Sequence, residues 1–169
     1  GMIHLGDRLG LYRAMAGAGG PITSHELAET LGLQERWVRE WASNQAAARL
    51  IELDTSSGVD RFSMSGEARA VLATPDHPSF GMGMFHRLPQ TMAALDHMPD
   101  SFTHGLGKDY DSHGPEGAEG IERSFEPWNR ANLVRKVLAV MDGMMERLTE
   151  GARVADVGCG AGGAVLLLA

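Results

Sequence analysis

The chain has a single cysteine, no apolar run of membrane-spanning length and no surplus of positive charge. Each absence closes off a class of function. Cys159 cannot form an internal disulfide, which fits a reducing cytoplasm rather than a secreted disulfide scaffold. A helix that crosses a bilayer needs about 20 consecutive apolar residues, and none is found, so no membrane partner is expected. Residues 1–11 contain Asp7, Arg8 and further glycines, which breaks the apolar core of a signal peptide. The expected location is therefore cytoplasmic. Fifteen Lys and Arg stand against 22 Asp and Glu, a formal net charge of −7. Proteins that hold nucleic acid through its phosphates usually show the opposite balance, at least locally. Internal repeats and low-complexity tracts are also missing. What is present is a globular composition in 169 residues, enough for one ordinary domain or two small ones. The ten methionines read as adaptable core packing.

Local signals then organise the chain. Leu5, Leu9, Tyr12 and Ala16 recur at 4-3-4 spacing and predict one amphipathic helix over residues 3–16, ended by Gly19, Gly20 and Pro21. Thr23 and Glu26 spell a capping box for a helix through Leu31, with Leu27 and Leu31 inward and Gly32 placed to close it. A second helix over 34–48 aligns Val38, Trp41, Ala42 and Gln45 on one stripe. Residues 50–53 and 61–64 read as strands joined by turn chemistry at 55–58. Helix, turn, helix and hairpin in that order predict a winged helix.

Ser65 can cap a further helix reaching Leu72, stopped by Pro75 and Pro78. Met82, Phe85, Met92 and Leu95 suggest helix over 79–98, broken near Pro89. Residues 99–120 show no periodicity and are expected to form a long connection. Pro127 suits the first turn of a new helix, whose Val134, Leu138, Met141, Met145 and Leu148 make a 4-3-4-3 stripe ended by Gly151. Residues 153–157 then read as a short buried strand entering a glycine-rich turn, with a helix starting at Ala164.

That turn carries the chemistry. Glycines let a backbone approach a ligand closely and supply turns of positive φ. Asp156-x-Gly158-x-Gly160-x-Gly162 after an apolar strand resembles the first motif of class I S-adenosylmethionine-dependent methyltransferases, rather than the dinucleotide pattern Gly-x-Gly-x-x-Gly. The resemblance implies S-adenosyl-L-methionine as cofactor, bound by Asp156, Gly158, Cys159, Gly160 and Gly162. Asp156 would organise the methionine end, and the glycines would let the backbone pass close to it. Leu9-Gly10-Leu11-Tyr12-Arg13, Glu26-Leu27-Ala28, Val38-Arg39-Glu40-Trp41 and Arg61-Phe62-Ser63 look like bacterial methyltransferases with an N-terminal winged helix. That layout is also similar to plant small-molecule O-methyltransferases. It implies a homodimer, a winged helix that helps wall the pocket, and a small-molecule acceptor.

The expected fold is mainly α. A winged helix-turn-helix domain occupies 1–76 and a helical connector 77–150, and the first strand and helix start of a Rossmann-like fold occupy 151–169. The family's catalytic domain is a seven-stranded sheet, and only its first strand is expected here. The acid that should follow the second strand, the adenine pocket and any catalytic base lie outside these residues. No catalytic residue is assigned, and the 169-residue chain is expected to be the front part of such an enzyme, inactive alone.

Other readings remain open. Gln34, Arg36, Arg39 and Asn44 on the second helix are types that contact DNA, so a winged-helix transcription regulator is the alternative, as is a stand-alone dimerisation module. Against DNA, residues 21–54 hold six acids and three arginines, a local charge of −3. His97, His104 and His113 lack compact ligand spacing, so no metal site is expected. Trp37, Trp41 and Trp128 read as packing residues. The 134–148 stripe is expected inside the homodimer, with 99–120 as a hinge.

Overall fold

One glycine decides the course of the first 17 residues. The computed structural model describes residues 1–169. In it α1 (Met2–Arg8) ends just before Gly10, which takes φ +75° in the left-handed region, and α2 (Leu11–Gly17) follows. The single helix expected over 3–16 is thus two. Its face changes with it: Leu11, Tyr12 and Met15 are buried, whereas Leu5 and Leu9 remain 45% and 44% exposed. Helical spacing defines one face only while the axis continues, and a left-handed residue ends that continuity.

The rest of the first compact unit, Gly1–Met82, follows its local signals. The Thr23 hydroxyl accepts from the Glu26 N–H at 3.1 Å while Glu26 Oε2 accepts from the Thr23 N–H at 2.8 Å, starting α3 (Ser24–Leu31). The same Thr23 backbone and hydroxyl donors hold the Glu26 carboxyl below its usual range. Gly32 closes α3 at φ +65°. In α4 (Glu35–Ala47) the expected stripe of Val38, Trp41, Ala42 and Gln45 is buried. Strands β1 (Glu52–Asp54) and β2 (Arg61–Ser63) pair antiparallel with Leu53 opposite Phe62, and Phe62 also bridges to Ile22. The Ser65 hydroxyl accepts from the Ala68 N–H at 3.1 Å and caps α5 (Gly66–Leu72). This is a winged helix-turn-helix domain, with a two-stranded sheet in a mainly helical chain.

Its core turns on a close approach. Gly6 lies between two rings, and a Cβ there would sit 2.6 Å from both Trp41 Cζ2 and Tyr12 Cε2. Those rings meet edge to face, with centroids 5.1 Å apart and planes at 68°. Trp41 Nε1 donates to the Met2 carbonyl at 3.0 Å. The Tyr12 hydroxyl donates to Gln45 Oε1, and both side chains are almost wholly buried. Burial first, then the Asp7 carboxylate, pushes the Tyr12 phenol well above its ordinary pKa.

The second unit, Gly83–Ala169, departs further from expectation. Helix α6 (Met82–His86) starts at its edge, and α7 (Leu88–Ala94) has Pro89 in its first turn, the expected break. The segment expected to be an unbroken connection contains α8 (Met98–His104) and, from Gly114, the 19-residue α9 (Gly114–Asn132). Pro115 rather than Pro127 sits in the opening turn of α9, and Pro127 is buried inside the helix. Helix α9 buries Gly117 and Gly120, which an apolar-periodicity reading passes over. Gly83 packs against the Arg123–Ser124 backbone so closely that no Cβ fits.

After α9 the chain changes period. A π-turn at Leu133–Val137 and a 3-10 turn at Leu138–Val140 precede Met141, which is extended. Left-handed Gly143 then starts α10 (Met144–Thr149). The stripe from Val134 to Leu148 is therefore not one helix face, because each change of period rotates the next residue out of line. None of its five residues is fully buried. The strand expected over 153–157 is also absent: residues 152–156 have no regular structure and are exposed. A central parallel strand exists only when neighbours pair with it, and no parallel pair forms among these residues. The chain ends in the short α11 (Gly163–Leu166).

Two outcomes follow for stability. Gly6→Ala should cost about 1–3 kcal/mol through overpacking against Trp41 and Tyr12, read from urea denaturation. An unchanged midpoint would mean that α1 stands farther from Trp41. Tyr12 stays protonated in the folded chain above the pH, near 10, at which the unfolded phenol ionises. Stability from this group is thus complete below pH 10 and falls as pH rises toward the folded value. Tyr12→Phe should lower stability at neutral pH, by about 1–3 kcal/mol for the unpartnered Gln45, and flatten the alkaline decline.

Candidate functional site

The residues of the glycine-rich motif form one open loop. Gly158, Gly160 and Gly162 take φ values of +81°, +57° and +86°, all in the left-handed region. Any other residue type would be strained at each of the three. The Gly162 N–H donates to the Cys159 carbonyl at 2.9 Å and tightens the turn into α11. Asp156, Gly158, Cys159 and Gly160 are exposed, and Gly162 is half-buried. Nothing lies within 4 Å of a Cβ built at any of the three motif glycines. The backbone is thus bare and approachable, with the Asp156 carboxylate at one end. Just beyond it Gly163 stands against the Glu122 carboxylate of α9, the far end of a flexible side chain that would have to shift to admit a Cβ there.

The outer face of α4 is the other candidate. Of the four residue types suited to DNA, three have partners within the domain. Arg39 Nε lies 3.8 Å from Glu35 Oε1, which also accepts from the Ser24 hydroxyl at 2.7 Å. The Arg36 guanidinium stands over the Trp37 ring, 5.9 Å from its centroid. Asn44 Oδ1 accepts from Gln45 Nε2 at 2.9 Å. Gln34 precedes α4, makes no side-chain capping bond and is exposed.

Trp37 departs from its expected place in the core: it is 70% exposed, while Trp41 is buried. Residues four apart share a helical face only approximately, and the α1 contact selects Trp41. Together with Met2, Leu5, Leu9 and Leu33, Trp37 lines an apolar groove of about 550 Å3. Spacing alone hides this groove, because it places Leu5 and Leu9 inward. Gly10, as a break, was the available signal.

In the second unit His86 Nδ1 lies 2.9 Å from Arg123 Nη1, and its Nε2 lies 3.9 Å from Glu119. No group of three or more His, Cys, Asp or Glu side chains is placed to hold a metal. Trp128 is partly exposed rather than packed. No helix is long and apolar enough to cross a membrane.

Residues 2–74 match the family model of the Rv2258c-like winged HTH domain. The match covers the capping box, α4, the hairpin and α5, so this winged HTH domain includes both the Tyr12–Trp41 core and the apolar groove. No curated protein matches. Among solved structures, the crystal structure of human N-acetylserotonin methyltransferase in complex with SAM is similar, with a TM-score of 0.59 at 17% identity. The likeness covers 99% of this chain and 50% of that one, so the chain spans half the length of that structure. At this identity the likeness is one of fold.

Exposure of the loop has a direct readout. Cys159 is the only cysteine and is exposed, so a thiol reagent should label the native chain nearly as fast as the urea-unfolded one. Strong protection in the native state would show that the loop is covered.

Proposed function

We propose that this chain is the N-terminal portion of an S-adenosylmethionine-dependent methyltransferase acting on a small-molecule acceptor. The observation that carries the reading is the run of left-handed Gly158, Gly160 and Gly162 after Asp156, in a chain whose fold is similar to that of a methyltransferase in complex with SAM. The loop supports this reading: no side chain crowds its three glycines, and the exposed Asp156 carboxylate could hold an ammonium group. S-adenosyl-L-methionine, when bound, supplies an electrophilic methyl group. The residues here contribute positioning. Asp156 accepts hydrogen bonds from the methionine end, and Gly158, Cys159, Gly160 and Gly162 bring backbone close.

We assign the winged-helix domain to 1–76, the connector to 77–150 and the start of the cofactor-binding domain to 151–169. The compact unit ending at Met82 supports the first boundary. Because the loop is open to solvent, the 169-residue chain is assigned weak cofactor binding and no methyl transfer. Its lone exposed thiol suits the cytoplasm.

The winged HTH fold also favours a second reading, a DNA-binding regulator. The paired Arg39, the stacked Arg36 and the local charge of −3 weigh against it. The groove at Leu5, Leu9 and Trp37 supports a homodimer instead, since apolar side chains of this size tend to be covered.

Calorimetry tests the cofactor assignment. The 169-residue chain should show no micromolar binding of S-adenosylmethionine, about −8 kcal/mol. In the longer protein Asp156→Ala should weaken binding at least about tenfold, or 1.4 kcal/mol. An unaffected affinity would remove Asp156 from the site. For the domain, light scattering should show a dimer that Leu9→Asp converts to monomer. Selection from random duplexes should recover no motif; a single strong one would favour the regulator.

A further inference from the structure

Arg87, at the start of α7, is half-buried, and its guanidinium takes part in no ion pair or hydrogen bond. A guanidinium keeps its charge and presents five N–H donors and no acceptor. Drawn partly out of water, such a group ordinarily meets a carboxylate or a carbonyl. Its stem is seated by α9: a Cβ at Gly120 would stand 3.1 Å from Arg87 Cβ and 3.3 Å from Cγ. Gly117, one turn earlier, receives the Cβ of His113 in the same way, at 3.0 Å. Glycine weakens a helix interior, and here each of the two makes room for a polar side chain.

Both side chains line one cavity of about 520 Å3, together with Tyr110, Asp111, Ala118 and Ile121. That volume lies within the roughly 300–1,000 Å3 typical of small-molecule sites. The Asp111 carboxylate is exposed on the 3-10 turn Tyr110–His113, and it too has no partner. Arg87 and Asp111 thus bring opposite charges to one cavity without closing on each other as an ion pair. The remaining wall is aromatic and aliphatic. The Tyr110 and His113 rings meet edge to face with centroids 5.7 Å apart, and Ala118 and Ile121 come from α9.

We propose that this cavity binds a small zwitterion with an apolar body, an aromatic amino acid in chemical class. Its carboxylate pairs with the Arg87 guanidinium, whose planar fork matches two carboxylate oxygens. Its ammonium group pairs with Asp111, and its ring lies among Tyr110, His113 and Ile121. The site is separate in sequence from the glycine-rich loop and does not depend on the methyl-transfer reading.

The probes are L-phenylalanine, which carries both charges, phenethylamine, which lacks the carboxylate, and 3-phenylpropanoate, which lacks the ammonium group. Each is titrated into the 169-residue chain past a Kd of about 1 mM, with NMR shifts read at Ala118 and Ile121. Phenylalanine should bind at least about tenfold more tightly than phenethylamine, because the half-buried Arg87 is then left unpaired. Its advantage over phenylpropanoate should be smaller, about threefold, because Asp111 is exposed. Arg87→Met keeps the stem against Gly120 and should bring phenylalanine down to the level of phenethylamine. Asp111→Asn should bring it down only to the level of phenylpropanoate. Circular dichroism establishes that each variant is folded, and Arg87→Leu replaces Arg87→Met if that variant is not. The proposal is overturned if phenylalanine leaves Ala118 and Ile121 unshifted, or if phenethylamine binds as tightly. Phenylpropanoate binding as tightly as phenylalanine would also overturn it, since the site would then recognise anions alone. So would an Arg87 or Asp111 variant that keeps the preference it should lose.

Discussion

Tyr12 and Trp41 meet edge to face across Gly6, and the winged-helix domain is organised around that contact. The close approach of α1 to α4 leaves no room for a side chain at residue 6. It also buries the Tyr12 hydroxyl, which must then find an acceptor. Gln45, a polar residue on an otherwise apolar stripe, is that acceptor. Trp41 ties its indole N–H to the start of α1 through the Met2 carbonyl. Two aromatic side chains thus fix three helices, and each polar atom they bury has a partner.

The same contact shapes the outer surface. With Trp41 turned inward, Trp37 one turn earlier is left outside, and left-handed Gly10 turns Leu5 and Leu9 toward it. The result is an apolar groove flanked by the mixed charges of α4. A helix that reads DNA presents free cations to phosphate. Here Arg39 is engaged by Glu35, and Arg36 lies over Trp37. The geometry of the core therefore also shapes the exposed face, where Trp37, Leu5 and Leu9 stand beside the ion pair of Arg39 with Glu35.

The second unit works differently. Its helices approach through glycines, Gly83 against the Arg123–Ser124 backbone and Gly120 against Arg87. Such contacts leave almost no trace in hydrophobic periodicity, because the buried residue has no side chain. That is why apolar periodicity does not reveal α9: its interior positions include Gly117, Gly120 and Pro127. Conversely, the 134–148 stripe is conspicuous as a pattern but is divided by the π-turn, the 3-10 turn and Gly143. The hydrogen bond from Gln90 to Glu116 is illegible for a related reason, since α7 and α9 lie 26 residues apart at that contact.

Features whose physics is local could be read from the residues alone. The Thr23–Glu26 capping box, the Gly32 stop, the buried stripe of α4, the hairpin and the Ser65 cap each need only neighbours within a few positions. The glycines of the 158–162 loop belong with them, because only glycine takes a left-handed backbone without steric cost. Tertiary structure decided everything that depends on which surfaces meet. It set the bend at Gly10, the choice of Trp41 over Trp37 for the core, the start of α9 at Gly114 and the loss of the strand before the glycine-rich loop. A spacing rule states which residues share a face, but only a partner determines whether that face is covered, and a parallel strand without a neighbour has no hydrogen bonds to make it one.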